Sequence, residues 1–478
     1  MAPRPLKLPR QYQWWGLVPA IAGLYALSLI HGFATALLAG PPALLWVVTG
    51  LSMVLLRGDA RVTAYMAVAS VLAVLVSLPL VFAAGFVPAV VVGLLGLVCF
   101  TVSGRVSLIE AVVDEVVPEP DDDLHMQVKV GFDEAMMGYF LIAARVPGGE
   151  LAERMCSEAL ELAKAMDARG WLESPERLHV APEAPDKLNA QSDKRFGFDF
   201  ERISFDSGFV PDAALPGAGR WASHAANNRA TAWMLRHPGP TRPWVVCIHG
   251  YRMGETWMDF GLFKPGYLHK RMGFNVLMPV LPLHGPRRIG RKSGDQYLDG
   301  DLLDLLFAQS QALWDLRRWL AWLRANEDRP QIGVYGVSLG GYNTGLLTGY
   351  EKDLDFAVAG IPVVDFAQTL WRVMPPPHRR YFEARGLSEA RYRELLKPVS
   401  PLTLPCRIPR DRRFVFAAAA DRIVPAQQPA LLAAHWDVQT RWYQGSHMSI
   451  GSETEPRATL EEALRVAGWT APETRPYV

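Results

Sequence analysis

Charge is the first thing this sequence lacks. Between Trp14 and Gly104, a run of 91 residues, the only Asp, Glu, Lys or Arg side chains are Arg57, Asp59 and Arg61. The other 387 positions hold the remaining 94. One globular domain does not divide charge this way, so a wholly soluble chain is excluded, and the ordinary charge density of the remainder excludes an all-membrane chain. Cysteine is scarce too. Cys99, Cys156, Cys247 and Cys406 stand apart with no C-x-x-C pair, which argues against a zinc ribbon or a disulfide framework and for reduced thiols in a cytosolic setting. The net charge of +1 offers no basic field to attract nucleic acid. No internal repeat is visible. What is abundant is apolar side chain, 50% of the total, and that excludes a disordered chain.

The uncharged run is long enough to cross a bilayer several times, at about 20 residues per helix. Its punctuation predicts spans over 14–38, 41–56, 62–83 and 86–104, the last two divided at Gly85 and Pro88. Three spans is the alternative, if 41–56 is re-entrant or interfacial. A cleaved signal peptide would show one short apolar core, and the pattern does not stop after one. Basic residues alternate with the connections: Arg4, Lys7 and Arg10 in the tail, Arg57 and Arg61 in the second connection, Arg105 after the last span. The first and third connections carry none, so the expectation is that both ends lie in the cytoplasm, at the inner face of the cell membrane. His31 reads as a helix-end or helix-contact residue. The spans lack a charged relay of the kind a transporter or pore needs.

Residues 106–198 read as a helical connector, with helices over Gly131–Val146 and Glu150–Arg169. Ala152, Met155, Ala159, Leu162 and Met166 line one face of the second helix. Gly170 is its expected stop. Pro118–Asp123 and Pro182–Asp193 read as loops, and the acid run Asp121–Asp123 as a solvated turn rather than a cation site. From residue 199 to 478 strands alternate with helices. Strands are expected at Phe200–Phe205, Ala230–Leu235, Trp244–His249, Phe274–Val280, Gln331–Gly336, Phe356–Val364, Arg413–Ala419 and Gln439–Tyr443. Asp301–Asn326 and Pro425–His435 read as helices between them. That order specifies an α/β domain of three layers around a mainly parallel sheet, preceded by the connector and by an all-α transmembrane region over 1–105.

The sharpest chemical signal is Gly336-Val337-Ser338-Leu339-Gly340-Gly341. It follows a strand and opens a helix, as a G-x-S-x-G nucleophile elbow requires. The glycines serve a steric need, because side chains there would strike neighbouring backbone. A serine hydroxyl needs a base to take its proton, and the chain order Ser, Asp, His directs the search downstream. Asp421 ends the strand Arg413–Ala419 and is followed by a Pro-marked turn. His447 follows the last strand in Gly445-Ser446-His447. The expected roles are Ser338 as nucleophile, His447 as general base and then acid, and Asp421 as the carboxylate that fixes the imidazole. Asp365, at the end of Ile361–Asp365, is a competing acid. Backbone N–H groups of Leu339 and Tyr251 are the expected oxyanion donors, with Gly250 easing the approach and His249 structural.

These residues resemble the α/β-hydrolase superfamily, and the esterase and lipase-like serine hydrolases in particular. The resemblance rests on HGY at 249–251, LPLHG at 281–285, GVSLGG at 336–341, ADRIVP at 420–425 and GSH at 445–447, and it covers roughly residues 200–470. It implies the catalytic triad Ser338, Asp421 and His447, the oxyanion residues Tyr251 and Leu339, and a cap-like insertion at about 366–405. No metal or organic cofactor is implied. Arg287 and Arg288, after the LPLHG loop, and Trp371, in the insertion, are candidate substrate-binding residues for a lipophilic or lipid-like ester carrying an anionic group. A solvated loop and a cap packed on the core are the competing readings of those segments. The expected activity is a membrane-anchored serine hydrolase acting on carboxylic esters. A prolyl-oligopeptidase-like peptidase, a thioesterase or acyltransferase, and a non-catalytic scaffold of the same fold remain as alternatives. The oligomeric state is not legible.

Overall fold

The computed structural model describes residues 12–55, 58–111, 114–145 and 147–469. The chain divides into two compact units. The first comprises Met1–Ala144 together with the segments Ala418–Gln427 and Trp442–Glu453. The second comprises Arg145–Ala417, Gln428–Arg441 and Thr454–Val478.

The first unit is built on helices α1 (Leu17–Ser28), α2 (Phe33–Leu55), α3 (Ala60–Ala84), α4 (Phe86–Ile109) and α5 (Leu124–Ala143). Three of them, α2, α3 and α4, are long and apolar enough to cross a membrane. At 23 to 25 residues each they reach roughly 35 Å, slightly more than a hydrocarbon core of about 30 Å. Helix α1 has 12 residues and is too short. Packing here is the reverse of a soluble protein. Small side chains such as Ala22, Ala43, Ala69 and Ala73 are fully buried, while Leu78 is 74% and Phe82 94% exposed. That is the arrangement expected where helices approach through small residues and turn large ones to lipid.

The expected spans over 14–38 and 41–56 are corrected by this arrangement. The chain breaks at Leu29–Gly32, and α2 runs unbroken through Pro41 and Pro42. The break is stabilised locally, because the Thr35 hydroxyl accepts from the N–H groups of His31 (3.0 Å) and Gly32 (3.1 Å). A proline pair in sequence suggests a helix boundary, but membrane helices tolerate proline where neighbouring groups satisfy the freed backbone. Arg4, Lys7, Arg10 and Arg57, four of the basic residues behind the expected orientation, lie outside the described residues, as does Val146.

Helix α5 packs on α3 and α4 at glycines. A Cβ at Gly138 would lie 2.5 Å from the Ala64 carbonyl oxygen, and one at Gly104 would collide with the Gln127 carbonyl. The Asp123 side chain caps α5 by accepting from Met126 N–H at 2.7 Å, so the last residue of the acid run has a structural use.

A nine-stranded sheet is drawn from the second unit except for the last residue of β8 and the last two of β9: β1 (Asn189–Arg195), β2 (Phe198–Asp206), β3 (Arg229–Leu235), β4 (Trp244–Ile248), β5 (Asn275–Val280), β6 (Ile332–Val337), β7 (Phe356–Gly360), β8 (Arg413–Ala418) and β9 (Thr440–Tyr443). Spatial order is β1-β2-β3-β5-β4-β6-β7-β8-β9. The pairs β1·β2, β2·β3 and β3·β5 are antiparallel, and β5·β4, β4·β6, β6·β7 and β7·β8 are parallel. Every residue of β4, β5, β6 and β7 is buried, as strands covered on both faces require. Strand β1 escaped the sequence pattern. It lies in the stretch read as connector and loop, and its seven polar or small residues are all exposed, so it has no apolar period to detect. A charged edge of this kind discourages further strand pairing. The helix Gly149–Ala168 buries Ala152, Met155, Ala159, Leu162 and Met166, and Gly170 follows it with φ of 65°.

The glycine seam makes a measurable claim. Gly104→Leu should force α4 from α5 and cost about 1–3 kcal/mol or more as overpacking. A lowered unfolding temperature of the detergent-solubilised protein would register it; an unchanged one would mean that α5 does not dock here.

Candidate active site

Ser338 sits between β6 and the helix Leu339–Thr348, with φ 59° and ψ −114°. A non-glycine residue at positive φ is strained, typically by 1–3 kcal/mol or so, and persists only where the surroundings impose it. Here they do. Ser338 N–H donates to the Gly360 carbonyl at 2.8 Å, and the Ser338 carbonyl accepts from Tyr342 N–H at 3.0 Å. The flanking glycines have no room for a side chain. A Cβ at Gly340 would strike the Ile248 carbonyl, and one at Gly336 would strike the Gly340 carbonyl and the Thr344 hydroxyl. Within 332–350, Ser338 is the one residue that is not buried. The strain therefore presents a single hydroxyl at a helix N-terminus, where the dipole favours developing negative charge.

The loop after β4 flanks the serine. A Cβ at Gly250 would lie 3.6 Å from Ser338 Cβ, which places HGY beside the elbow. His249 donates through Nδ1 to the Gly250 carbonyl (2.8 Å) and accepts at Nε2 from Leu281 N–H (3.0 Å). Burial pushes its pKa down to about 4. With both nitrogens engaged and the ring neutral, it ties the β4 loop to the β5 loop.

Asp421 and His447 belong to the first unit, and the structure brings them together. His447 Nδ1 and Asp421 Oδ2 are 2.6 Å apart. Asp421 Oδ1 accepts from the N–H groups of Ile423 (3.0 Å) and Val424 (2.8 Å), so the turn after β8 fixes the carboxylate. Burial by itself would lower the His447 pKa. The charge and hydrogen bond of Asp421, with the charge of Asp133, outweigh it and carry the net shift upward.

Asp133 is the residue that sequence reasoning missed. It is fully buried on α5. Its Oδ2 accepts from Arg422 N–H (3.0 Å) and His447 N–H (2.9 Å), and its Oδ1 from Met448 N–H (2.8 Å). Its pKa is pushed up to about 6, chiefly by burial and next by the Asp421 charge, with the charge of His447 opposing. The available signal was an acid pair, Asp133-Glu134, on the apolar face of a helix.

The other candidates divide. Asp365 caps the helix Phe366–Val373 by accepting from Gln368 N–H (3.0 Å) and pairs with Arg393 at 2.6 Å, so the competing acid is already engaged. Arg287 does not fit an anion-recognising role. It is 1% exposed, pairs with buried Asp315 at 2.7 Å, and donates to the carbonyls of Val280 (2.9 Å) and Asn227 (3.0 Å). The expectation that Arg287 binds substrate is corrected because its side chain turns inward to satisfy a buried carboxylate. Arg288 is exposed and pairs with Glu255 at 3.2 Å. Trp371 is buried and stacks on Tyr392 with centroids 5.3 Å apart. The insertion folds as the helices Phe366–Val373, Pro376–Ala384 and Glu389–Leu395, and Trp371 packs within them rather than lining an open surface.

A mainly parallel sheet with antiparallel strands at one edge, helices on its connections and a strained serine between β6 and a helix define the α/β-hydrolase fold, here with an N-terminal helical region apolar enough for a membrane anchor. Within that fold the chain belongs to the same family as two Mycobacterium tuberculosis proteins. These are the uncharacterized protein Rv2627c of strain H37Rv and the uncharacterized protein MT2702 of strain CDC 1551. Each is 37% identical over 318 residues, which is 66% of this chain and 76% of the relative. No family model matches the sequence. Solved structures similar to parts of the chain include acetyl xylan esterase 1 from a Thermoanaerobacterium species (TM-score 0.42, 16% identity, 63% of this chain and 93% of that one). Acylaminoacyl peptidase from Pyrococcus horikoshii is another (TM-score 0.37, 12% identity, 61% and 43%). A cold-adapted esterase from an Arctic intertidal metagenomic library is a third (TM-score 0.37, 14% identity, 59% and 99%). These likenesses are distant.

Arg287→Ala should destabilise the protein by about 3–5 kcal/mol, because it leaves the Asp315 carboxylate buried without its cation. Denaturant unfolding of the two proteins compares them directly. A loss below about 1 kcal/mol, the range of a surface pair, would contradict the buried assignment.

Proposed function

We propose that the protein is a membrane-anchored serine hydrolase that cleaves carboxylic esters through an acyl-enzyme. The observation that carries the reading is Ser338, held at positive φ and alone unburied in a buried strand–turn–helix. The Asp421–His447 pair supports it, since an imidazole oriented through Nδ1 keeps Nε2 for proton transfer.

In this mechanism His447 Nε2 takes the proton of the Ser338 hydroxyl as Oγ attacks the ester carbonyl. The negative charge that develops on the carbonyl oxygen is met by the N–H groups of Leu339 and Tyr251. The tetrahedral intermediate collapses, the C–O bond to the alcohol breaks, and the imidazolium returns its proton to the departing alkoxide. Water, deprotonated by His447, then attacks the acyl-serine and releases the acid with Ser338 restored. Asp421 balances the imidazolium charge in both halves. The apolar anchor raises the local concentration of lipid-soluble substrates, which favours a lipophilic ester. Arg61 at the start of α3 and Arg105 late in α4 fall on the same side of two successive spans, which supports a cytoplasmic side for the chain that follows.

A fluorophosphonate probe applied to membranes tests the reading. Wild type should label and Ser338→Ala should not; equal labelling of both, or of neither, would sink it. An ester series of increasing acyl length on the purified protein reads the lipophilic preference. Because the base must be neutral and its pKa is raised, kcat/KM should climb with pH through a midpoint above the ordinary imidazole value. Asp421→Asn should move that midpoint to lower pH and reduce kcat by as much as about 10⁴-fold. An unmoved midpoint in that variant would mean that Asp421 does not serve the base.

A further inference from the structure

We propose that Asp133, on helix α5 of the N-terminal unit, is a positioning residue for the Asp421–His447 pair, so that the helical region is part of the acid–base device as well as an anchor. The inference rests on the serine-hydrolase reading above for its functional meaning, and on hydrogen bonds within one unit for its geometry.

One carboxylate holds two separate segments. It accepts from Arg422 N–H, directly after the triad acid, and from His447 and Met448 N–H, at the triad base itself. These are the donors whose positions set where Asp421 and His447 stand relative to each other. A buried carboxylate with three backbone donors is a rigid fixture, because each bond to a charged acceptor is about twice as strong as a neutral one. Further bonds tie α5 to the same segments. Lys129 Nζ donates to the Gln444 carbonyl (2.9 Å) and pairs with Glu453 (2.8 Å). The Ser446 hydroxyl donates to the Lys129 carbonyl (3.0 Å). On the other side α5 is fixed to the membrane helices. Glu134 accepts from the Ser107 hydroxyl of α4, and Gly138 packs on Ala64 of α3. A displacement of α3 or α4 therefore moves Asp133, and with it the frame of the imidazole.

Asp133 also acts through charge. His447 faces Asp421 from its own segment pair and Asp133 from α5. The adjoining Arg422 and Glu134 are 3.6 Å apart and largely offset each other. Two carboxylates beside one imidazole favour its protonated form, which is the form generated when it takes the serine proton.

Two measurements on the full-length protein in detergent test this. Hydrogen exchange of the wild type should show peptides over 421–424 and 446–449 protected together with α5. Exchange at loop rates while α5 stays protected would overturn the clamp, whatever the protein catalyses. Asp133→Asn should slow fluorophosphonate labelling of Ser338 by roughly ten- to a hundredfold, as loss of a charged buried hydrogen bond implies, and should shift the acid limb of its pH profile to lower pH. A slower rate with the acid limb in place would mean a merely structural residue, and an unchanged profile would mean no role; either refutes the proposal. Asp133→Ser, which sheds the charge and keeps one acceptor, is the second variant should asparagine not be accommodated. Labelling of Ser338→Ala at the wild-type rate would defeat the serine reading instead, leaving the exchange result to judge the clamp.

Discussion

Two carboxylates buried at one histidine, Asp421 on its ring and Asp133 on its backbone N–H, are the arrangement on which the rest of this molecule depends. Taking Asp421 and Asp133 out of water is costly unless every lone pair finds a donor or a cation. The structure meets that demand with five backbone N–H groups and the His447 ring. Those donors come from two turns separated in sequence, so the same bonds that make burial tolerable also fix the turns. Rigidity and electrostatic poise thus have one source. An imidazole in this setting is biased toward protonation, and its orientation is fixed by Asp421.

The serine obeys a different constraint. Its backbone is strained, and the strain is imposed by closely approaching main chain at Gly336 and Gly340. Burial of everything around it leaves one polar group pointing outward from a helix start. A hydroxyl so placed does not relax away, because the sheet and helix over-determine the turn.

The packing of the apolar helices follows the logic of solvent reversal. In water the large apolar side chains would gather inside; here many interior positions are alanine or glycine, and large side chains such as Leu78 and Phe82 face out. Close backbone approach is what small residues permit, and α5 extends the same packing mode to a helix that carries charge.

Much of this was legible in the sequence, for reasons that are local. The charge gap between Trp14 and Gly104 exposes the apolar region because lipid tolerates almost no unpaired charge. The buried strands declare themselves as β-branched runs, and GVSLGG declares the elbow because only glycine fits where backbone crosses backbone. What stayed hidden depends on partners remote in sequence. Pro41 and Pro42 looked like a boundary because helix continuity there is decided by neighbouring segments. Strand β1 has no apolar period because it lies at a sheet edge. Arg287 looked like a surface cation because Asp315, which draws it inward, stands 28 residues away. Asp133 lies about three hundred residues before the histidine whose N–H it accepts, and no spacing rule spans that distance. The sequence by itself determined that an apolar helical region precedes an α/β fold and where the strained serine turn lies, since both rest on short-range sterics and hydrophobicity. Only the tertiary structure decided which charges are buried together, because desolvation is a property of a place in the fold and not of a residue in a chain.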